Sequence, residues 1–224
     1  MSISTQVIRR EFIHHGIQIG AIELVSGLRK LKSGRMSPYF FNAGLYCNGY
    51  DLSRLAQAYN GVMQENEALF SLGQVIFGPS YKGSAIAVAV AVQGGSKIGW
   101  AYDRKEAKDH GEGGLVVGAS LKNKNVILAD DVMTSGESLG GAFNFVSAQG
   151  GYPIACIIAV DRQEKGKDGG LSAVQEFEQK YQIPVKAAVT RDDIIEYIEE
   201  MASRDDRWNG ILLQMRHYKE QWGA

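Results

Sequence analysis

Val126-Ile127-Leu128-Ala129 is apolar at every position, and no other feature of the chain limits the fold as much. A strand with one wet face alternates in polarity. A continuously apolar run needs cover on both faces, as in a parallel sheet between helices. Two carboxylates follow, Asp130 and Asp131, then Val132-Met133-Thr134-Ser135-Gly136-Glu137-Ser138, where Gly136 onward reads as a helix start. A helix N-terminus offers unpaired N–H groups and partial positive charge, so this turn suits a phosphate. Two carboxylates would repel a phosphate, so they must serve something else: ribose hydroxyls, a metal, or a sugar carbon turning cationic. Phosphate and carboxylates wanted together point to a phosphorylated sugar. The rival reading is that Asp130-Asp131 caps the next helix.

The rest of the chain supports a β–α alternation from about residue 74. Gln74–Phe77, Ile98–Tyr102, Val126–Ala129, Ile154–Val160 and Pro184–Val189 read as strands. Ser84–Val92, Gly136–Gln149, Leu171–Tyr181, Asp192–Met201 and Arg204–Trp222 read as helices. Alternation of this kind implies an α/β fold with a central parallel sheet flanked by helices. Before it come a helix over Thr5–Gly16, a β-like aromatic stretch over Tyr39–Tyr46 and a helix over Asp51–Phe70 capped by Asp51. The first 50 residues fall outside the alternation and are expected to form a small hood over the sheet's carboxyl edge. No repeat or linker is evident, so residues 1–224 are expected to form one domain.

Composition narrows the function. The net charge of −1 argues against bulk nucleic-acid binding, which needs a strongly basic face. No apolar stretch reaches roughly 18 residues, so no membrane span is expected. The N-terminus lacks a secretory signal pattern. Cys47 and Cys156 belong to no CxxC or Cys/His cluster and read as reduced thiols of a cytoplasmic protein.

Ligands of open α/β sheets bind beyond the carboxyl ends of the strands. Besides the acidic turn, two loops occupy that position. Gly78-Pro79-Ser80-Tyr81-Lys82-Gly83 allows close backbone approach and offers Lys82 as a point charge for a diphosphate. It is neither a GxxxxGK phosphate loop nor a GxGxxG dinucleotide turn. Asp161-Arg162 offers a guanidinium able to grip a carboxylate, the rival reading being a surface pair of Arg162 with Asp161 or Glu164. Residues 103–114 (Asp103-Arg104-Lys105-Glu106-Ala107-Lys108-Asp109-His110-Gly111-Glu112-Gly113-Gly114) are rich in cations and glycine. They read either as an anion-seeking lid or as a solvated charged loop.

Here the residues reach a resemblance. The acidic turn resembles the signature of type I phosphoribosyltransferases, which bind 5-phosphoribosyl 1-diphosphate (PRPP). Arg104 to Gly113, Lys32-Ser33-Gly34-Arg35, Ser37 to Gly44, Phe77 to Gly83 and Asp161 to Glu164 together resemble the orotate phosphoribosyltransferases, from about Lys32 to Glu164 and more weakly beyond. The resemblance implies a Rossmann-like fold and an Mg²⁺-dependent pentosyltransferase joining orotate to ribose in pyrimidine synthesis.

It also implies roles. Thr134, Ser135, Gly136, Glu137 and Ser138 would hold the 5-phosphate, with Val132 and Met133 also in the substrate site. Asp130 and Asp131 would meet the ribose hydroxyls and the developing cationic charge. Tyr81 and Lys82 would contact the diphosphate, in a loop where the family often has a non-proline cis peptide, expected near Ser80–Tyr81. Phe40 and Phe41 would lie against the pyrimidine, Arg162 would face orotate and Lys32 would assist. Arg104, Lys105, Lys108 and His110 would reach the leaving diphosphate of a neighbouring subunit in a homodimer, with Lys108 acting most on the chemical step. Mg²⁺ would ride on the diphosphate and waters, without a dedicated protein metal site.

The chain departs from the family pattern at Ala129, Met133, Ser135, Glu137 and Ser138. Glu137 brings a charge near the phosphate and is expected to point outward. The alternatives are a salvage phosphoribosyltransferase for another base, or a non-catalytic PRPP-sensing regulator. His14 and His15 read as surface histidines, and Trp208, Leu212, Met215 and Trp222 as the packing face of the last helix.

Overall fold

The computed structural model describes residues 4–31, 34–95, 98–108, 114–166 and 170–224, apart from the side chains of 26, 107 and 108. Among these, six strands form one sheet. They are β3 (Val75–Phe77), β4 (Gly99–Lys108), β5 (Gly114–Gly118), β6 (Asn125–Val132), β7 (Tyr152–Asp161) and β8 (Val185–Thr190), in spatial order β5-β4-β3-β6-β7-β8. All neighbours are parallel except β5, which pairs antiparallel with β4. The chain leaves β3 toward β4 on one side and resumes at β6 on the other. The crevice between the ends of β3 and β6 is therefore a topological switch point, where open α/β sheets take ligands.

Alternate residues of each strand feed two cores. Ile76, Ile127, Ala129, Ala155 and Ile157 face one side, with α2 (Gly49–Glu65), α4 (Lys82–Gln93) and α7 (Arg191–Ala202). Val75, Phe77, Val126, Leu128, Cys156 and Ile158 face the other, with α5 (Glu137–Ala148) and α6 (Ala173–Tyr181). The continuously apolar run is thus buried on both faces. Each large side chain removed from water contributes about 1.5–3 kcal/mol.

A separate two-stranded antiparallel sheet pairs β1 (Ile22–Lys30) with β2 (Met36–Phe41). Its inner residues Ile22, Tyr39 and Phe41 join the first core, beside α1 (Thr5–Gln18) and α8 (Asn209–Trp222).

Several expected boundaries move. The aromatic strand is Met36–Phe41, and the chain then turns through a short 3-10 segment at Ala43–Leu45. The helix expected over Asp51–Phe70 divides at Asn66 into α2 and α3 (Glu67–Phe70), where the Asn66 amide donates to the Val62 carbonyl. Its cap is Asn48, whose side chain accepts from the Asp51 N–H at 2.9 Å, so Asp51 is freed for other bonds. The last helix is preceded by a 3-10 turn, Asp206–Trp208. β4 runs on through Lys108 because its charged half pairs with β5, which makes half of the expected lid a strand.

Candidate active site

Asp130 and Asp131 lie just before the end of β6 and are 6% and 7% exposed. Asp130 accepts the Asp131 N–H at 2.9 Å and the Ser138 hydroxyl at 2.7 Å. Burial pushes its carboxyl up to about 6; the Ser138 bond works against that rise and the Asp131 charge adds to it. Asp131 accepts the Val132 N–H at 3.0 Å and the Lys82 ammonium at 2.8 Å. One carboxylate is therefore neutralised by a cation, while its neighbour is held by a hydroxyl and a backbone amide. Behind them, fully buried Tyr59 on α2 donates to the Asp130 carbonyl at 2.7 Å, tying the acidic turn to a helix.

The Gly78–Gly83 loop approaches the acidic turn so closely that side chains are excluded. A Cβ on Gly78 would lie 1.8 Å from the Gly83 carbonyl oxygen, and one on Gly83 would lie 2.9 Å from that of Ala129. Small residues here bring Lys82 within reach of Asp131. The Ser80–Tyr81 peptide is cis, as the resemblance implied. Asp103 of β4 accepts the Ser80 N–H at 2.7 Å, and Lys105 lies 4.4 Å from the ring centre of exposed Tyr81.

On the other flank, Thr134, Ser135, Glu137 and Ser138 are exposed around Gly136, whose φ of +69° turns the chain into α5. A positive φ suits glycine and turns successive N–H groups toward one point, an anion-binding arrangement. Glu137 is exposed, as expected, but it also lines the adjoining cavity.

That cavity, about 450 Å³, brings together Phe40, Phe41, Val132 to Ser135 and Arg162. The two phenylalanines are not equivalent. Phe40 is half-buried with the Arg29 guanidinium 4.0 Å from its ring centre, whereas Phe41 is 4% exposed and packs against Phe12 and Tyr46. Arg162 is buried: its Nε donates to Glu164 at 2.8 Å, and its guanidinium lies over the Tyr39 ring at 4.4 Å.

A phosphoribosyl transferase domain model matches residues 51–190, which span both ligand loops and the sheet. The orotate phosphoribosyltransferase of Actinobacillus succinogenes is 42% identical, over 96% of this chain and 97% of that protein. The chain belongs to the orotate phosphoribosyltransferase family. The crystal structure of a Francisella tularensis orotate phosphoribosyltransferase superposes with a TM-score of 0.80 at 32% identity, covering 96% of this chain and 100% of that one. A Mycobacterium tuberculosis orotate phosphoribosyltransferase, in complex with 5-phospho-α-D-ribosyl 1-diphosphate, shares the fold with a TM-score of 0.62 at 19% identity, over 84% of this chain and 98% of that one.

The expected site residues of this family member fall into three groups. Asp130, Asp131, Lys82 and Ser138 are bonded to one another in pairs. Phe40, Phe41, Val132, Met133, Thr134, Ser135, Glu137 and Arg162 line the cavity beside them. Tyr81 and Lys105 meet on the far side of the acidic turn, and half-buried Arg104 lies on the same strand as Lys105. Lys32, His110 and the side chain of Lys108 lie outside the described residues.

Two readings change. His15 is not a surface residue: it is buried and bonded to Asp51 at 2.8 Å, while His14 meets the Tyr197 hydroxyl at 2.7 Å. The surface pairing weighed for Arg162 becomes a buried pair with Glu164, because β7 delivers both under the β1–β2 sheet. Sequence reasoning missed Tyr59, Asp103 and Tyr218, whose bonds join residues far apart in the chain and carry no local pattern.

Proposed function

We propose that the chain transfers the 5-phosphoribosyl group from PRPP to N1 of orotate, giving orotidine 5′-monophosphate and diphosphate. The observation that carries this reading is the juxtaposition at the switch point of two carboxylates and a lysine from the facing loop, with the turn into α5 beside them lining a cavity that also holds Phe40 and Arg162. The N–H groups and hydroxyls of Thr134 to Ser138 hold the 5-phosphate. Asp130 and Asp131 accept from the ribose hydroxyls and stabilise positive charge as C1 parts from the diphosphate. Lys82 exchanges Asp131 for the diphosphate when PRPP enters. Phe40 gives the pyrimidine a flat surface, Phe41 backs it from the core, and Arg162 meets its anionic edge.

Among the described residues no cluster of three His, Cys, Asp or Glu side chains could cage a metal. The donors near the switch point are carboxylate oxygens, which fits Mg²⁺ arriving with the diphosphate and keeping its waters. When bound, Mg²⁺ supplies charge neutralisation on the departing group.

Arg104, Lys105, Lys108 and His110 belong to a lid that serves the neighbouring subunit of a homodimer. Closure brings cations to the leaving diphosphate and excludes water from the reactive sugar. The enzyme works in the cytoplasm; no described helix is long and apolar enough to cross a membrane.

The test is loss of orotate absorbance with PRPP and Mg²⁺, against uracil and hypoxanthine. Turnover of either base in place of orotate would overturn the reading. Lys108→Ala should lower kcat far more than it raises either KM. Mixing it with Asp131→Ala should restore part of the activity, and no recovery in verified mixed dimers would refute sharing between subunits.

A further inference from the structure

Residues 162–166 after β7 carry Arg162 yet have no continuing strand ladder of their own. The C-terminal segment holds them. Lys165 N–H donates to the Trp222 carbonyl at 2.9 Å, Ala224 N–H to the Gln163 carbonyl at 3.0 Å, and Glu164 forms an antiparallel bridge with Gly223. From α7, buried Arg191 donates to the Gln163 carbonyl at 2.8 Å.

At the centre of this clamp is Glu164. Its Oε1 takes Arg162 Nε at 2.8 Å, Arg162 Nη2 at 2.6 Å and the Tyr218 hydroxyl of α8 at 2.8 Å. Its Oε2 faces Arg35 Nη1 at 3.5 Å. Arg162 Nη2 also donates to Ser37 at 3.2 Å, and Arg35 stacks on Trp222 at 4.8 Å. One carboxylate thus lies between two guanidiniums. Only one of these, Arg162, is engaged through two nitrogens. The Tyr218 hydroxyl donates to the same oxygen, which biases the carboxylate toward Arg162 and away from Arg35.

We infer that Tyr218, acting through Glu164, is a positioning residue for nucleobase recognition: it fixes the plane of the Arg162 guanidinium under the base. The inference rests on the reading of Arg162 as base-facing. It makes α8, remote from the acidic turn, a determinant of affinity for the base and not for the phosphoribosyl donor. With two nitrogens occupied by Glu164 and Ser37 and its face on Tyr39, Arg162 has one orientation in which to offer Nη1. Without the Tyr218 hydroxyl, Glu164 is free to turn toward Arg35, and Arg162 loses the bond that fixes its rotation. Charge-assisted bonds of this kind are the strong ones, and a misdirected guanidinium loses its fit to a carboxylate.

Tyr218→Phe keeps the ring and its edge-on contact with Tyr39, centroids 6.3 Å apart, and removes only the hydroxyl. The expected result is a rise of roughly five- to tenfold in KM for orotate, the size of one ordinary hydrogen bond because the lost bond acts on Arg162 only through Glu164, with KM for PRPP and the melting temperature nearly unchanged. Glu164→Gln, which keeps an acceptor and loses the charge, should show the same split. Arg162→Lys separates the two ideas. If it leaves KM for orotate unchanged, the base-facing reading fails and the inference with it. If it raises KM for orotate while Tyr218→Phe does not, or if Tyr218→Phe raises both KM values alike, the positioning role is overturned and the base-facing reading stands.

Discussion

Replacing Asp130 by Asn should stabilise the fold above neutral pH while removing activity. The Asp130 carboxyl is raised from 3.8 to about 6, mainly because the protein buries it without a cation of its own. A group held above its unfolded value favours folding in its protonated form. Its contribution is fully present below about 3.8 and is lost as pH rises through 6. A rise of that size corresponds to about 3 kcal/mol at full ionisation. Between pH 4.5 and 7.5 the ionised carboxylate therefore costs the wild-type fold about 2 kcal/mol more, a cost that Asn does not carry. Asn keeps the geometry: its carbonyl can accept the Asp131 N–H, and its amide can face the Ser138 hydroxyl, which also accepts. Urea unfolding of both proteins at the two pH values is the assay, with midpoints converted through a shared m-value. The stability gap should open by about 2 kcal/mol toward pH 7.5. A gap that does not change with pH would refute the reasoning, because the cost of a desolvated charge must follow its ionisation.

Two further outcomes follow from the same geometry. Gly78→Ala should cost about 3 kcal/mol or more and abolish PRPP turnover, since its Cβ would meet backbone rather than a movable side chain; a thermal melt within a degree or two of wild type would contradict this. Glu137→Ala should lower KM for PRPP several-fold at low salt and leave KM for orotate unchanged. The same change should cost a few tenths of a kcal/mol of stability, because Glu137 sits in the first turn of α5. An unaltered salt dependence of KM would show that the carboxylate does not face the phosphate.

The parts legible in the sequence were those whose physics is local. A four-residue apolar run, too short for a helix and followed by a turn into one, reads as a doubly covered strand whose polar sequel lies at the sheet's carboxyl edge, so Asp130, Asp131 and Ser138 could be placed together. β1 was not legible: Ile22–Lys30 mixes apolar residues with Glu23, Gly27 and Arg29, and a register irregularity between Leu24 and Arg29 erases its alternation. β5 was hidden in a glycine-rich stretch; it is the edge strand of the sheet, and its pairing converts charged residues of β4, beyond the part paired with β3, from loop to strand. His15 differs from His14 only in the direction it faces across α1, which the pair of adjacent histidines does not disclose. Tyr218 carries no signal at all until α8 is seen against the loop that holds Glu164.

The β1–β2 sheet packs against α8, and Tyr218 of that helix holds Glu164, the partner of Arg162, beside the cavity that Phe40 lines. This sets an order on synthesis. A chain emerging from the ribosome has β3 to β8, with the acidic turn and its facing loop, before α8 is free to fold. The phosphate half of the cavity can take shape while Arg162 still lacks the support that α8 gives Glu164. In the order of synthesis, the hydroxyl that steadies the base-facing guanidinium therefore comes after the groups that face the sugar phosphate.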